Sequence, residues 1–434
     1  MEFSSTIILF LGIFLMSYHL ITNKVSQSRL AIDHVTCLFF GFIYYVYLPI
    51  LIMTTEFKRI FNPTYRFNNI GQKEAFEAVS NAQLQNFLIV FLGIIIVVII
   101  ADLMSQNKKY QPTRLGIPDL GVMKIFLFFI SILLIPAIYN IIPSVLSGYD
   151  ITLWVRGSRG PFLSYLVILI TMSSMYLINR GKLKLLNVFT IFAFGFTLLN
   201  VLTGNRVFFI SLIVSLVVLI SHFNGGIKFR NLFILFLIGF IFAGLVGVLR
   251  SNPPELSYDY VLSIKALRAL LMLLFFQFTA EGGNVATSML LYIGQYSANL
   301  FEFPSSFLSQ FINTIPSFVF PSKFDYLILD PRVSYYLSSS HFYVMLMVNF
   351  GIVGCMIFMY FFTYILNIVK VKYRFVGIYP ALCAHIPFMF FRDFDLTVVK
   401  FMLEFTFLYA IVILLFGNTL RKMLKSDSTK VSIE

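Results

Sequence analysis

Long apolar stretches alternate with shorter polar segments along almost the whole chain. A helix needs about 20 predominantly apolar residues to cross the hydrocarbon layer of a bilayer. About eleven stretches approach this length. They cover residues 5–21, 30–53, 86–104, 123–142, 162–178, 185–202, 207–223, 232–249, 341–369, 375–391 and 398–416. The pattern predicts an all-α fold, a polytopic helical bundle with about eleven spans and a range of roughly ten to twelve.

The spacing of these stretches divides the chain into four parts. They are an N-terminal membrane bundle (1–249, about eight spans), a long connection (250–340), a C-terminal bundle (341–417, about three spans) and a basic tail (418–434). The connection is expected to be partly helical, because its apolar stretch 266–280 is too short to span and suits a helix in the interface. A span at 266–280 would invert every later assignment. Residues 303–331, rich in Pro, Ser and aromatics, predict an irregular lid on the membrane surface.

Composition supports a membrane protein and excludes several other classes. Hydrophobic types make up 59% of the chain, aromatic types 18% and charged types 12%, more apolar surface than a water-soluble domain could bury. The net charge of +13 does not indicate a nucleic-acid partner, because the basic residues lie between apolar stretches and not in a patch. Cys37, Cys355 and Cys383 lie in apolar stretches without metal-type spacing, so neither a disulfide framework nor a zinc site is expected.

The distribution of basic residues predicts the orientation of the spans. Lys and Arg are about three times as dense in the connections that follow odd-numbered spans, and cytoplasmic connections retain positive charge. Lys24 and Arg29, in the first connection, belong to this set. We therefore expect the N-terminus and the 250–340 connection outside, and the C-terminal tail in the cytoplasm. Residues 5–21 lack a preceding basic segment and are interpreted as a retained helix.

Arginines at the outer ends of spans are the first candidates for chemistry. Arg206 closes the short Thr-Gly-Asn-Arg connection between two spans, and the others are Arg156, Arg159, Arg250 and Arg392. A guanidinium group binds phosphate oxygens through two parallel hydrogen bonds and stays charged near lipid. Several converging on one cavity would hold a lipid-linked diphosphate. The alternative is that each reaches individually to lipid headgroups.

His341, at the outer start of the ninth span, is the candidate general base. A histidine there titrates near neutrality and could accept a proton from a sugar hydroxyl, or it could serve only as an interfacial hydrogen-bonding group. Gly351 and Gly354 are expected to let a neighbouring helix approach closely. Other ionisable groups within the spans are expected to be structural partners, most of them at span ends where solvation is easy: His19, Asp33, His34, Asp102, His222, His385, Lys400 and Glu404.

No Walker A, GxGxxG, HExxH or GxSxG pattern occurs, so no nucleotide, metal or other cofactor is expected. Two segments do resemble a known family. Residues 334–341 (SYYLSSSH) leading into 349–354 (NFGIVG), together with the Arg206 connection, the late Arg392-Asp393 turn and the large late outer loop, resemble the bacterial O-antigen polymerases. The related O-antigen ligases carry Asn after the histidine, where this chain has Phe342.

The resemblance implies a multi-pass glycosyltransferase of the bacterial inner membrane that uses neither metal nor nucleotide sugar. It would transfer a growing glycan from undecaprenyl diphosphate to a new lipid-linked repeat unit at the periplasmic face. Its partners would be the lipid-linked oligosaccharide, membrane lipid and a chain-length regulator protein. His341 would be catalytic, with Glu302, Asp325 and Asp330 as alternative bases. Aromatic side chains that could stack on sugar rings are Tyr326, Tyr335, Tyr336 and Phe342.

Three other functions remain open from the sequence. A flippase or transporter for lipid-linked oligosaccharide would share the basic outer surface, although no paired halves with matching broken helices are visible. An O-antigen ligase would use the same donor. A scaffold without enzymatic activity would leave the arginines unexplained.

Overall fold

The computed structural model describes residues 3–54, 79–106, 132, 191, 194–195, 197–198, 207–235, 237–239, 283–296, 304–313, 315, 319–326, 328, 342–373 and 378–391. These residues are mostly helical, as the sequence predicts. Among them, four helices are long and apolar enough to cross a membrane: Ser4–Lys24, His34–Ile52, Asn81–Ser105 and Phe342–Val371. The predicted spans 123–142, 162–178, 185–202, 232–249 and 398–416, and the stretch 266–280, fall largely or wholly outside the described residues. The eleven-span count and the outer connection therefore stay predictions.

The helices have the following bounds. They are α1 Phe3–Lys24, α2 His34–Phe42, α3 Leu48–Thr54, α4 Asn81–Gln106, α5 Val207–Phe223, α6 Gly283–Tyr296, α7 Ser305–Asn313, α8 Phe342–Tyr373 and α9 Ile378–Phe391. A π-helical turn, Ile43–Tyr47, joins α2 to α3 without a break, and a 3₁₀-helix covers Pro321–Tyr326.

Aromatic side chains fill the centre of the bundle. The helix α4 packs on α8, α1 and α6, while α9 packs on α5 and α2. Phe42 of α2 lies edge-on to Phe391 of α9 at 5.1 Å between ring centroids, and Tyr343 of α8 lies 5.1 Å from the same ring. A Cβ atom on Gly41 would stand 2.4 Å from Phe391, so the glycine allows the ring to approach α2. Close packing of this kind is what holds helices together where lipid and side chain are equally apolar.

A small antiparallel sheet, absent from the all-helical prediction, joins two connections. Its strands are β1 Val25–Ser26, β2 Arg29–Leu30 and β3 Ile227–Lys228, in the order β1-β2-β3. Gln27 and Ser28 have φ of 50° and 59°, as a two-residue type I′ hairpin requires. Strands of two residues are too short to show an alternating pattern in the sequence, which is why the prediction missed them.

Six helix ends meet at one end of the bundle. The helices α1, α4, α5 and α8 end there, and α2 and α9 begin there. The contacts that show this include Lys24 to Asp102, Lys370 to Asp33 and Ser221 to Ile32. We call it the charged end and define it by Lys24, Asp33, Asp102 and Lys370. These are the helix ends that the sequence analysis assigned to a single side of the membrane.

The helix α8 is interrupted at Gly351, which has φ 69° and ψ 177°. Only glycine adopts this backbone region readily, so the residue divides α8 into a short first part, 342–350, and a longer second part that begins at 352. At Gly354 an added Cβ would stand 2.5 Å from the Cβ of Phe350, across the break in the same helix. The expectation that Gly354 admits a neighbouring helix is therefore wrong, because the space beside it is taken by Phe350 of the same helix. Gly351 has a different role from the expected one, since it breaks the helix.

Candidate functional site

The predicted site residues His341, Arg156, Arg159, Arg206, Arg250 and Arg392 all lie outside the described residues. Three of them are nevertheless joined directly to described helix ends. Arg206 immediately precedes α5, His341 immediately precedes α8, and Arg392 immediately follows α9. Because α5 ends at the charged end and α9 begins there, the helix ends joined to Arg206 and Arg392 point away from it. The start of α8 is placed differently: Phe342 packs on Phe358, more than four turns later in the same helix, so the chain folds back at Gly351 and Phe342 lies beside the second part of α8.

Two of the three helix ends are in contact. The ring of Phe342, the residue after His341, lies 5.1 Å from the ring of Phe390, two residues before Arg392. Phe342 is only 1% exposed and also packs on Phe358 at 5.7 Å. The proposal that Phe342 stacks on a sugar ring is therefore wrong, because its faces are covered by other side chains. It anchors the start of α8 to the end of α9.

The helix α7 and the 3₁₀-helix precede α8 in the chain. Their pattern of buried and exposed side chains is the opposite of that of a helix on a water-facing surface. Several of their polar side chains are buried and several of their apolar side chains are exposed. The buried ones are Ser306, Ser309, Gln310 and Lys323, and the exposed ones are Leu308, Phe311, Val319, Tyr326 and Ile328. A segment that faces lipid has this arrangement. Of the alternative bases and sugar-stacking residues, Asp325 and Tyr326 are exposed here, while Glu302, Asp330, Tyr335 and Tyr336 are not among the described residues.

The charged end holds a cluster of buried ion pairs that the sequence analysis did not predict. Lys24 Nζ lies 2.9 Å from Asp33 Oδ2 and 2.7 Å from Asp102 Oδ2. Lys370 Nζ lies 2.5 Å from the same Asp33 oxygen. The side chains of Lys24 and both aspartates are at most 3% exposed, and only Lys370, at 25%, reaches solvent. The cluster joins four helices, α1, α2, α4 and α8.

Neutral groups complete the hydrogen bonding of the two aspartates. His19 Nε2 lies 2.8 Å from Asp102 Oδ2, and the amide of Asn23 donates to His19 Nδ1 at 3.2 Å. In this arrangement Nε2 faces the Asp102 carboxylate and Nδ1 faces the Asn23 amide. Asn367 donates to Asp102 Oδ1 at 3.1 Å, and the Thr36 N–H caps α2 through Asp33 Oδ1 at 3.1 Å. Two lysines and two aspartates therefore cancel, so the cluster has no net charge.

These positions correct one interpretation made from the sequence and refine another. Lys24, counted among the basic residues of the first connection, is the last residue of α1, is 5% exposed and pairs with two carboxylates. Asp33, Asp102, His19 and His34 were expected to be easily solvated at span ends, yet each is at most 2% exposed. The sequence carries a signal for this, since an acidic residue follows a basic one across a short connection between two spans. Residues at such positions meet when the two helices pack antiparallel.

A second polar group lies beside the cluster. The hydroxyl of Tyr379 lies 2.8 Å from His34 Nδ1 and accepts from the His34 backbone N–H at 3.3 Å, and its ring lies 5.6 Å from that of His222. Further along α9, His385 Nδ1 donates to the Ala381 carbonyl at 2.8 Å. Lys400 and Glu404 lie outside the described residues. Within the described part of the chain, no group of three or more His, Cys, Asp and Glu side chains could hold a metal.

Comparison with models of protein families, with curated proteins and with solved structures finds no match to the chain.

Proposed function

We propose that the protein polymerises lipid-linked oligosaccharide repeat units at the periplasmic face of the bacterial inner membrane. A hydroxyl oxygen of the new repeat unit attacks the anomeric carbon of the growing glycan. The bond from that carbon to undecaprenyl diphosphate breaks, and the diphosphate leaves with the bonding electrons. The hydroxyl proton passes to a base. The product is a longer glycan on the carrier of the new unit.

The observation that carries this proposal is the contact between the helix ends joined to His341 and Arg392. The ring of Phe342 lies 5.1 Å from that of Phe390, and α5, which follows Arg206, packs along α9. A transferase that uses a diphosphate leaving group needs positive charge at the departing phosphate and a base at the acceptor hydroxyl. The arrangement supports such a pairing of arginine and histidine.

The remaining residues take roles that follow from their chemistry. Arg206 and Arg392, with Arg156, Arg159 and Arg250, would neutralise the leaving diphosphate by bidentate hydrogen bonds. His341 would accept the acceptor proton, with Glu302, Asp325 or Asp330 as alternatives. The lipid-facing segment from α7 to the 3₁₀-helix supports access from the membrane. A separate chain-length regulator would bind as a partner protein.

A transporter of lipid-linked oligosaccharide is the second candidate, and two observations favour it. The break of α8 at Gly351 and the buried ionisable cluster are both features of secondary transporters. The cluster, however, lies at the charged end and not at the broken helix, where a transporter would bind its substrate.

Purified protein in liposomes with undecaprenyl-diphosphate-linked repeat units separates the two functions. We expect glycans of several repeat units to form without ATP or added metal. His341→Gln keeps size and hydrogen bonding but removes basicity, so elongation should fall by about 10²- to 10⁴-fold while lipid-linked substrate still binds. Movement of the lipid-linked unit across the bilayer without any new glycosidic bond would instead establish the transporter.

A further inference from the structure

The helix α7 has no N-terminal cap of its own. The residue before it is Pro304, whose side chain cannot accept a hydrogen bond from the first-turn N–H groups. Asn349 of α8, 2% exposed, supplies the cap from another helix. Its Oδ1 accepts from Phe307 N at 3.3 Å and lies 3.0 Å from Ser306 Oγ, while its Nδ2 lies 2.8 Å from that hydroxyl. The amide is held in place by a further bond from Nδ2 to the Met345 carbonyl at 2.7 Å.

The capped helix lies across the break in α8. The ring of Phe307 packs on Phe350 at 5.1 Å before Gly351 and on Phe358 at 6.2 Å after it. Asn349 itself stands two residues before the break. The hydrogen bonds at Asn349 and the ring of Phe307 therefore fix α7 to both halves of α8.

The segment after α7 folds back onto it. Ser309 Oγ accepts from Ile328 N at 3.1 Å, and Lys323 Nζ donates to the Ile315 carbonyl at 2.7 Å, although its side chain is fully buried. The first bond attaches the residues after the 3₁₀-helix to Ser309 of α7. The second attaches the 3₁₀-helix itself, which carries Asp325, to Ile315 just after α7. These bonds connect the segment with Asp325 to α7, and Asn349 connects α7 to α8.

We infer that Asn349 is a positioning residue. Through α7 it holds the segment that carries Asp325 and the lipid-facing side chains at a fixed place over the break in α8. The catalytic consequence of this inference rests on the proposed function. The attachment of α7 to α8 through Asn349, which we call the tether, can be measured without activity. Asn349 acts through other groups and does not touch the reacting atoms.

Two substitutions separate positioning from simple helix capping. Asn349→Leu removes the cap and the tether together. Adding Pro304→Ser gives α7 a local capping residue, which restores its first-turn hydrogen bond but not its attachment to α8. Asn367→Leu is the matched control, because it removes a buried amide from the same helix at the charged end. Ser306→Ala is the milder variant if Asn349→Leu does not fold.

Three measurements read these variants. Hydrogen exchange of α7 amides should accelerate about tenfold in Asn349→Leu, return in the double variant and stay unchanged in Asn367→Leu. Spin labels at Leu308→Cys and Val353→Cys should give a narrow distance distribution in the wild type and a broad one in both Asn349 variants; the native cysteines are buried. In elongation, kcat should fall at least tenfold with little change in KM and should not recover in the double variant.

The outcomes divide cleanly. Unchanged exchange and spin-label distances in Asn349→Leu would overturn the tether. Recovery of kcat and of the narrow distances in the Pro304→Ser double variant would reduce Asn349 to a helix cap. A wild-type protein that forms no glycosidic bonds refutes the proposed function and with it the catalytic consequence, while the exchange and distance measurements still decide whether the tether exists.

Discussion

Replacing Lys24 by Met removes one of the two positive charges from the cluster at the charged end. Asp33 and Asp102 then share Lys370 alone, which contacts Asp33 and is partly exposed, so one buried carboxylate has no cationic partner. Removing one member of a buried ion pair typically destabilises a protein by about 3–5 kcal/mol. We expect a loss in this range, because Lys24 contacts both carboxylates within 3 Å and Met fills its volume.

The cluster also predicts how the loss can be reversed. Asp102→Asn alone leaves an excess positive charge, but combined with Lys24→Met it restores neutrality with one intact pair, Lys370 and Asp33. The double variant should therefore be more stable than the sum of the single losses by about 1–3 kcal/mol. Lys228→Met, which replaces an exposed side chain on strand β3, is the control and should change stability by less than about 0.5 kcal/mol.

The assay is reversible unfolding in mixed micelles by titration with a denaturing detergent, followed by far-ultraviolet circular dichroism. All four variants are compared with the wild type at one pH and protein concentration. A loss below about 1 kcal/mol for Lys24→Met, or strict additivity in the double variant, would show that the charges are solvated and that the buried cluster is not a stabilising feature.

Three further predictions concern the break, the arginines and the orientation. Gly351→Ala places a Cβ at φ 69° and should lower the free energy of unfolding by about 1–3 kcal/mol, measured in the same assay. Gly239→Ala, with no atom within 4 Å of the added Cβ, is the control and should leave stability unchanged. Equal effects of the two substitutions would argue against a strained break. Arg206→Lys keeps the charge but loses the bidentate geometry, so it should impair elongation nearly as much as Arg206→Ala, and full activity would leave only general electrostatics. Reporter fusions at Ser305 and Lys425 should report periplasm and cytoplasm respectively, and a shared side would mean a miscounted span.

The sequence predicts spans well where apolar length alone decides them. The predicted span 207–223 coincides with α5, and the predicted starts and ends of the first, third and ninth spans fall within a few residues of α1, α4 and α8. Length and hydropathy are enough here because the bilayer imposes both. The sequence also placed on one side the six helix ends that meet at the charged end.

Contacts between distant residues could not be predicted in this way. Lys24 and Lys370 look like ordinary loop charges until α1 and α8 are placed against α2 and α4. The cap of α7 by Asn349 likewise joins residues 42 positions apart, and Phe342 resembles an interfacial aromatic until its neighbours from α9 are known. Periodicity reports which face of a helix is apolar, but not which partner covers it. The sequence also could not show what Gly351 does. Only its backbone angles show that it breaks α8, whereas the sequence pattern suggested close packing of two helices.

The most direct test of the proposed polymerase is the stoichiometry of elongation by the purified protein. Each new glycosidic bond releases one undecaprenyl diphosphate, so free carrier and added repeat units should accumulate in equal amounts, with EDTA present and without nucleotide. His341→Gln should suppress both products together. Carrier release without glycan growth would indicate hydrolysis. If correctly folded protein forms neither free carrier nor longer glycan, the proposed polymerase is contradicted.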